Sequence, residues 1–270
     1  MGMGFAAVFM AMLAAAAAGL SGAVAALERR NAPVPWLTSA EVLVCVFLLA
    51  LAGAGVTQLG RPQLIFAAFS NSSSSIFKLG VAWLAALVAS VSYMVAVHRS
   101  AYETTCRLLS LTAFAACALM LAAHAVNYVM PWRAAWNTYS IVPVFFGFAA
   151  LSGTAAKGVL DAKMGTGIER RSVLAALVWI IAFFVLYLTI IGRSALPEPT
   201  AARLLTGDLA GDFWSFVVGV GIAIPGLLML FARRSKTANA VAFLLILIGC
   251  AAWQIVLLRL GSAAWSFFGS

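Results

Sequence analysis

Charge is what this chain has least of: Asp, Glu, Lys and Arg together make up 9% of its 270 residues. No segment is long and polar enough to fold as a separate aqueous domain, which excludes a soluble multidomain organisation. Histidine occurs twice and cysteine four times, with no CxxC pair. Cys45, Cys106, Cys117 and Cys250 fall singly in apolar runs, so they carry no cluster-binding motif and are expected as buried packing residues. His98 and His124 belong at depths separated by about 30 Å of helix rise, too far apart for one haem to bridge. That excludes a bis-histidine cytochrome and leaves only a single axial ligand open.

Carboxylates are missing from the middle of the apolar runs. Glu41 is expected in the first turn of the second helix, where the helix dipole favours a negative charge, and Asp161 at the end of the fifth, both near the inside surface. A transmembrane proton relay would place carboxylates in mid-span, so no pump is expected. The Asp161, Lys163, Gly165-Thr166-Gly167 segment lacks the GK[ST] ending of a phosphate-binding loop and reads as a turn. Lys and Arg are also absent before the first apolar run, so Ala23-Val24-Ala25 reads as part of a retained helix rather than a signal-peptide cleavage site.

What is present is apolar length. Hydrophobic residues make up 64% of the chain and mean hydropathy is +1.05, and eight continuous runs of roughly 21 to 25 residues can each cross a hydrocarbon core. They predict helices over 5–27, 38–58, 77–98, 104–128, 139–160, 172–192, 212–232 and 238–260. The runs lack the alternating rhythm of barrel strands. The expected fold is an all-α integral membrane protein, a single eight-helix domain over 1–270. Of the 17 basic residues, eleven flank the connections after helices 1, 3, 5 and 7, and only Arg61, Lys78, Arg133, Arg193, Arg203 and Arg259 lie on the other side. The positive-inside rule then places both termini outside a cell (cytoplasmic or inner) membrane. The net charge of +9 reports topology and attraction to anionic headgroups of the lipid bilayer, not nucleic-acid binding.

The outside connections, 59–76, 129–138 and 193–211, are longer and chemically mixed, which suggests a partner on that side. In the first, Asn71 and the serines at 72–75 have the composition of a linker, yet Phe66, Phe69 and Phe77 flank it and imply docking against headgroups or protein. The same loop begins Gln58-Leu59-Gly60-Arg61-Pro62, where Gly60 permits a sharp turn and Pro62 biases Arg61 towards an extended backbone. The second runs from Pro131 through Trp132, Arg133, Trp136, Asn137 and Thr138 to Tyr139. An aromatic belt with snorkelling arginines is the plain reading of Trp132 and its neighbours. Arg61, Phe66, Phe69, Trp132 and Arg133 are the candidates for partner docking.

Gln58, Arg61, Lys78, His124, Asn127, Tyr128, Arg133, Trp136 and Asn137 are expected at one membrane depth, bringing donors, acceptors and aromatic faces together. A lipid-soluble quinol needs such a place, because its hydroxyls require hydrogen-bond partners and proton acceptors, its ring stacks on Trp or Tyr, and its tail needs an apolar cleft. For His124, an interhelical hydrogen bond is the structural alternative. Elsewhere, Gly19, Gly22, Gly53, Gly55, Gly219 and Gly221 are expected at close helix approaches. Pro225 is expected to kink helix 7, and Pro143 is tolerated in the first turns of helix 5.

The two loops resemble those of the DmsC-type membrane anchor of dimethyl sulfoxide reductase and related complex iron–sulfur molybdoenzymes. Leu59-Gly60-Arg61-Pro62 is similar to that family's HLGRP-like element, and Trp136-Asn137-Thr138, after Tyr128 and Pro131, to its Y…P…AWNT-like loop. The resemblance covers essentially the whole chain and implies a subunit of anaerobic respiration and electron transport. Such an anchor oxidises menaquinol or another quinol at the outer face and passes electrons to an iron–sulfur subunit, which feeds a molybdopterin catalytic subunit. It implies no haem, no iron–sulfur cluster and no catalytic site in this chain, which would be one part of an oxidoreductase. Two positions depart from the pattern: Gln58 stands where the family has histidine, and the acidic residue near the start of helix 3 is replaced around Lys78 to Gly80. His124 is therefore expected to take over hydrogen bonding to the quinol from an adjacent helix, with Gln58 orienting the ring. A small-molecule transporter or permease, though no internal repeat is evident, and a single-haem membrane cytochrome are the alternatives.

Overall fold

The computed structural model describes residues 2–29, 34–58, 70–99, 102–131, 133–193 and 200–261. Eight long helices make up nearly all of them: α1 (Gly2–Glu28), α2 (Val34–Gln58), α3 (Ser75–His98), α4 (Glu103–Val126), α5 (Ile141–Lys163), α6 (Arg170–Gly192), α7 (Ala210–Phe231) and α8 (Lys236–Gly261). All eight are long and apolar enough to span a membrane, and the described residues include no strand. The chain is a multi-pass, all-helical membrane protein. An uninterrupted apolar run must satisfy its backbone within itself when water is absent, and a helix does so. The expected spans recur, with ends moved by no more than four residues.

Short connections make successive helices antiparallel. The starts of α1, α3, α5 and α7 and the ends of α2, α4, α6 and α8 therefore share one face of the bundle, the terminal face. Within the bundle, α1 and α5 form the centre: 72% of the apolar window of each is buried, against 17% for α3 and 28% for α6. The run Ala14–Ala18 explains why α1 can sit there, since side chains this small let α2, α4, α5 and α8 all approach it. Gly19 meets the backbone of Gly153 on α5, and Gly221 meets Gly249 on α8, so closely that a Cβ at any of the four would collide. Gly53 has open space around it, contrary to expectation, and its partner in the motif, Gly55, makes only ordinary contact with Met10.

Two further expectations change in detail. The 71–75 segment is not a linker: Asn71 Oδ1 accepts from the Ser73 N–H at 3.1 Å and from its hydroxyl at 2.6 Å, and Ser74 caps α3 by accepting from the Ile76 N–H at 3.2 Å. At Pro225 the helix changes register, with Phe213–Ala223 wound as a π-helix and Ile224–Phe231 as an α-helix. Proline lacks the N–H that a continuous ladder needs, so the change of winding falls next to it.

Candidate functional site

The last turn of α4, the loop that follows it, and α5 and α8 build one enclosed polar group near the terminal face. His124 is 2% exposed, and its Nε2 has no hydrogen-bond partner among the described residues. Its ring meets Tyr128 edge-on at 5.4 Å and Phe145 of α5 at 5.9 Å. Helix α4 ends at Val126, with the Asn127 N–H bonded to the His124 carbonyl at 3.3 Å, and this break turns Tyr128 back towards the histidine. The Tyr128 hydroxyl faces the amide of Gln254 on α8. Gln254 is fully buried, and neither its Nε2 nor its Oε1 makes a hydrogen bond of normal geometry among the described residues.

The loop is held rigidly above this group. Met130 donates to the Trp136 carbonyl at 3.0 Å, Arg133 to Met130 at 3.2 Å and Trp136 to Arg133 at 2.9 Å, closing a tight coil around the single 3-10 turn Ala134–Trp136. Two helices clamp it: Tyr187 of α6 donates to the Ala135 carbonyl at 2.9 Å, and Trp136 Nε1 donates to the Leu257 carbonyl of α8 at 2.9 Å. Gly261 lacks the Cβ that would strike the Trp136 ring, so the indole lies against the end of α8. Arg133 sits over that ring, 5.0 Å from its centre, and Tyr128 meets it edge-on at 5.8 Å.

Of the residues expected here, the structure brings His124, Tyr128 and Trp136 together, with Arg133 on top. Lys78 and Asn137 are exposed, and Asn127 is half-buried at the helix end. Lys78 stands in the first turn of α3, a helix packed chiefly on α4 and α2. Arg61, Phe66, Phe69 and Trp132, and the side chain of Gln58, lie outside the described residues. Gln254 and Phe145 were not anticipated. Gln254 had a signal, as the only polar side chain between Cys250 and Arg259 in an otherwise apolar run, whereas Phe145 is one apolar residue among many in its helix.

An apolar groove of about 420 Å³ runs between α6 and α7, lined by Leu177, Ile181, Phe184, Phe213, Trp214 and Val218 among others. Phe184 joins it to an aromatic wall, meeting Phe148 of α5 at 6.1 Å and Trp253 of α8 at 4.9 Å, and Trp253 in turn meets Tyr187 at 5.4 Å. The described residues contain no cluster of three or more His, Cys, Asp or Glu able to hold a metal ion. The four cysteines form no disulfide among the described residues and are buried, as expected. His98 is exposed at the end of α3.

No family model matches the chain, and no curated protein matches it.

Proposed function

We propose that the chain is the membrane anchor of a respiratory oxidoreductase complex and oxidises a quinol in the pocket formed by His124, Tyr128, Trp136 and Gln254. The observation that carries this reading is the pairing of unsatisfied polar atoms with aromatic walls. Among the described residues His124 Nε2 has no hydrogen-bond partner and the Gln254 amide has only the Tyr128 hydroxyl facing it, and buried groups so poorly satisfied are costly unless something else satisfies them. A hydroquinone supplies two hydroxyls and a planar ring. One hydroxyl donates to His124 Nε2, which accepts its proton as the ring gives up two electrons to the iron–sulfur subunit, while the Gln254 amide holds the other oxygen, whose proton leaves to water at the terminal face. Tyr128, Phe145 and Trp136 offer ring edges and faces to a planar headgroup. The apolar groove between α6 and α7 suits an isoprenoid tail, having neither donors nor charge along its length.

In this reading the terminal face is the outer face of the cell membrane, as the distribution of basic residues favours. The clamped loop carrying Arg133 and Trp136 then faces an iron–sulfur subunit, which delivers the two electrons to a molybdopterin-containing subunit of the dimethyl sulfoxide reductase type. Purification of the intact complex from native membranes, followed by identification of the attached chains and assay of quinol oxidation, tests the whole reading. Co-purification of an iron–sulfur protein and a molybdoenzyme, with quinol oxidation lost in His124→Phe, is the expected result. Solute flux through liposomes containing the isolated chain would replace it with a permease, and a Soret band in the purified protein with a cytochrome.

A further inference from the structure

The other half of the bundle encloses a second group of polar atoms of quite different chemistry. Glu41 is the eighth residue of α2, not a residue of its first turn, and it is completely buried. Neither carboxylate oxygen has a hydrogen-bond partner of normal geometry among the described residues. Ser90 of α3 faces the carboxyl, and its hydroxyl, like that of Ser21 on α1, is enclosed and makes no hydrogen bond of normal geometry among the described residues. The Cys117 thiol of α4 lies against both serines. Four helices therefore aim unsatisfied or weakly polar groups at one point.

A carboxylate at that point would need a counter-charge, since an isolated buried ion is far too costly to persist. None is supplied by the described neighbours: the titratable groups facing it are Cys45 on its own helix, Tyr93 on α3 and Cys117 on α4, with Cys106 on α4 and Glu28 on α1 beyond Tyr93, all of them acids. The donor set does not suit a metal. Hard cations take about six oxygen ligands, and this site has the two carboxyl oxygens, two hydroxyls and soft thiols, with the backbone carbonyls of continuous helices already engaged. A proton and water fit the same atoms well: a neutral carboxyl gains a donor, and water has several polar partners within reach.

A tyrosine–carboxylate pair lies between this site and one face of the bundle. Tyr93 lies three residues from Ser90 on α3, is fully buried, and donates its hydroxyl to Glu28 Oε2 at 2.7 Å. Glu28 is the last residue of α1 and is partly exposed at the face opposite the termini.

We propose that Glu41 is a proton-binding site, loaded from the face opposite the termini through Glu28 and Tyr93, with water joining the Tyr93 hydroxyl, the Ser21 and Ser90 hydroxyls and the carboxyl. A proton arriving on Glu28 passes to the Tyr93 oxygen as the phenolic proton moves on through water to Glu41, so the phenol is regenerated and one proton is gained by Glu41. The site does not depend on the quinol reading.

Infrared spectroscopy of the purified protein in lipid nanodiscs tests it directly. The expected spectrum has a protonated-carboxyl C=O band that shifts on transfer to D2O, vanishes in Glu41→Gln and moves in Glu41→Asp. In Tyr93→Phe the band remains but exchanges at least ~10-fold more slowly, as expected when a relay group is removed. The proposal is overturned if no such band exists, if the band survives Glu41→Gln, or if exchange in Tyr93→Phe matches the unaltered protein. Loss of the band on adding sodium chloride at constant pH would assign the site to a metal cation instead. Should Glu41→Gln fail to fold, the position of the band in Glu41→Asp still decides whether Glu41 carries the proton.

Discussion

The His124 cluster and the Glu41 cluster both bury polar atoms that the described residues leave poorly satisfied, yet they differ in their walls. Around His124 the neighbours are rings, Tyr128, Phe145 and Trp136, and an apolar groove lies between nearby helices. Around Glu41 they are hydroxyls and thiols, with a tyrosine–carboxylate pair leading towards the opposite face. Unsatisfied polarity alone calls for a partner, whether water, an ion or a ligand. The walls select what: flat aromatic surfaces suit a planar ring, and small polar groups suit water and a proton.

The comparison can be broken most forcefully at His124. Replacement by Phe keeps the ring packing but removes the proton acceptor, so quinol turnover in the intact complex should fall about 10²-fold or more, with little change in stability. If turnover is unchanged, the histidine is a packing residue. A smaller effect is expected from Gln254→Leu, which removes a hydrogen-bonding partner without removing the acceptor: KM for quinol should rise about tenfold, equivalent to roughly 1.4 kcal/mol. A rise in KM with kcat preserved would separate the orienting role of Gln254 from the chemical role of His124.

Stability measurements sharpen the contrast further. Glu41→Leu replaces a poorly satisfied buried acid by a side chain of similar bulk, and the thermal midpoint should rise, by an amount equivalent to about 1 kcal/mol or more. A fall would mean that Glu41 contributes a stabilising interaction. Gly261→Ala should act in the other direction by forcing the Trp136 ring off the end of α8, at a cost of about 1–3 kcal/mol, visible as a lower thermal midpoint and altered tryptophan fluorescence.

The smallest effect is expected away from both pockets. The Arg203 guanidinium grips the exposed Asp208 carboxylate through two hydrogen bonds of 2.8 and 2.7 Å and holds its pKa below the usual carboxylate range. A depressed carboxyl pKa contributes stability above the unfolded-state value, and that contribution disappears as pH falls through the folded-state value. The protection of the Thr200–Leu205 amides relative to their intrinsic exchange rates should therefore fall slightly at acid pH, and Asp208→Asn should remove that pH dependence while leaving quinol turnover intact.

The helices were legible because an apolar run of membrane length has almost no alternative conformation in lipid. The site was legible in part. His124 and Tyr128 are four residues apart and stand out in an apolar background, and Trp136 lies in a loop with turn chemistry. Gln254 was missed because it is 130 positions from His124, and no local pattern records that α8 passes beside the end of α4. Lys78 and Asn137 were grouped with the pocket by expected depth, but depth does not specify angle around a helix or exposure. Glu41 was misplaced for a related reason: helix α2 begins at Val34, before the apolar run that marked its start.

The sequence by itself determined that this chain folds as eight apolar helices with very few polar groups between them, because hydrophobic length and backbone satisfaction are properties of each segment alone. Which of those few polar groups come together follows from how the helices pack. Helix neighbours and rotations depend on where small residues allow close approach, as at Gly19 with Gly153 and Gly221 with Gly249, and that complementarity exists between segments rather than within any one of them.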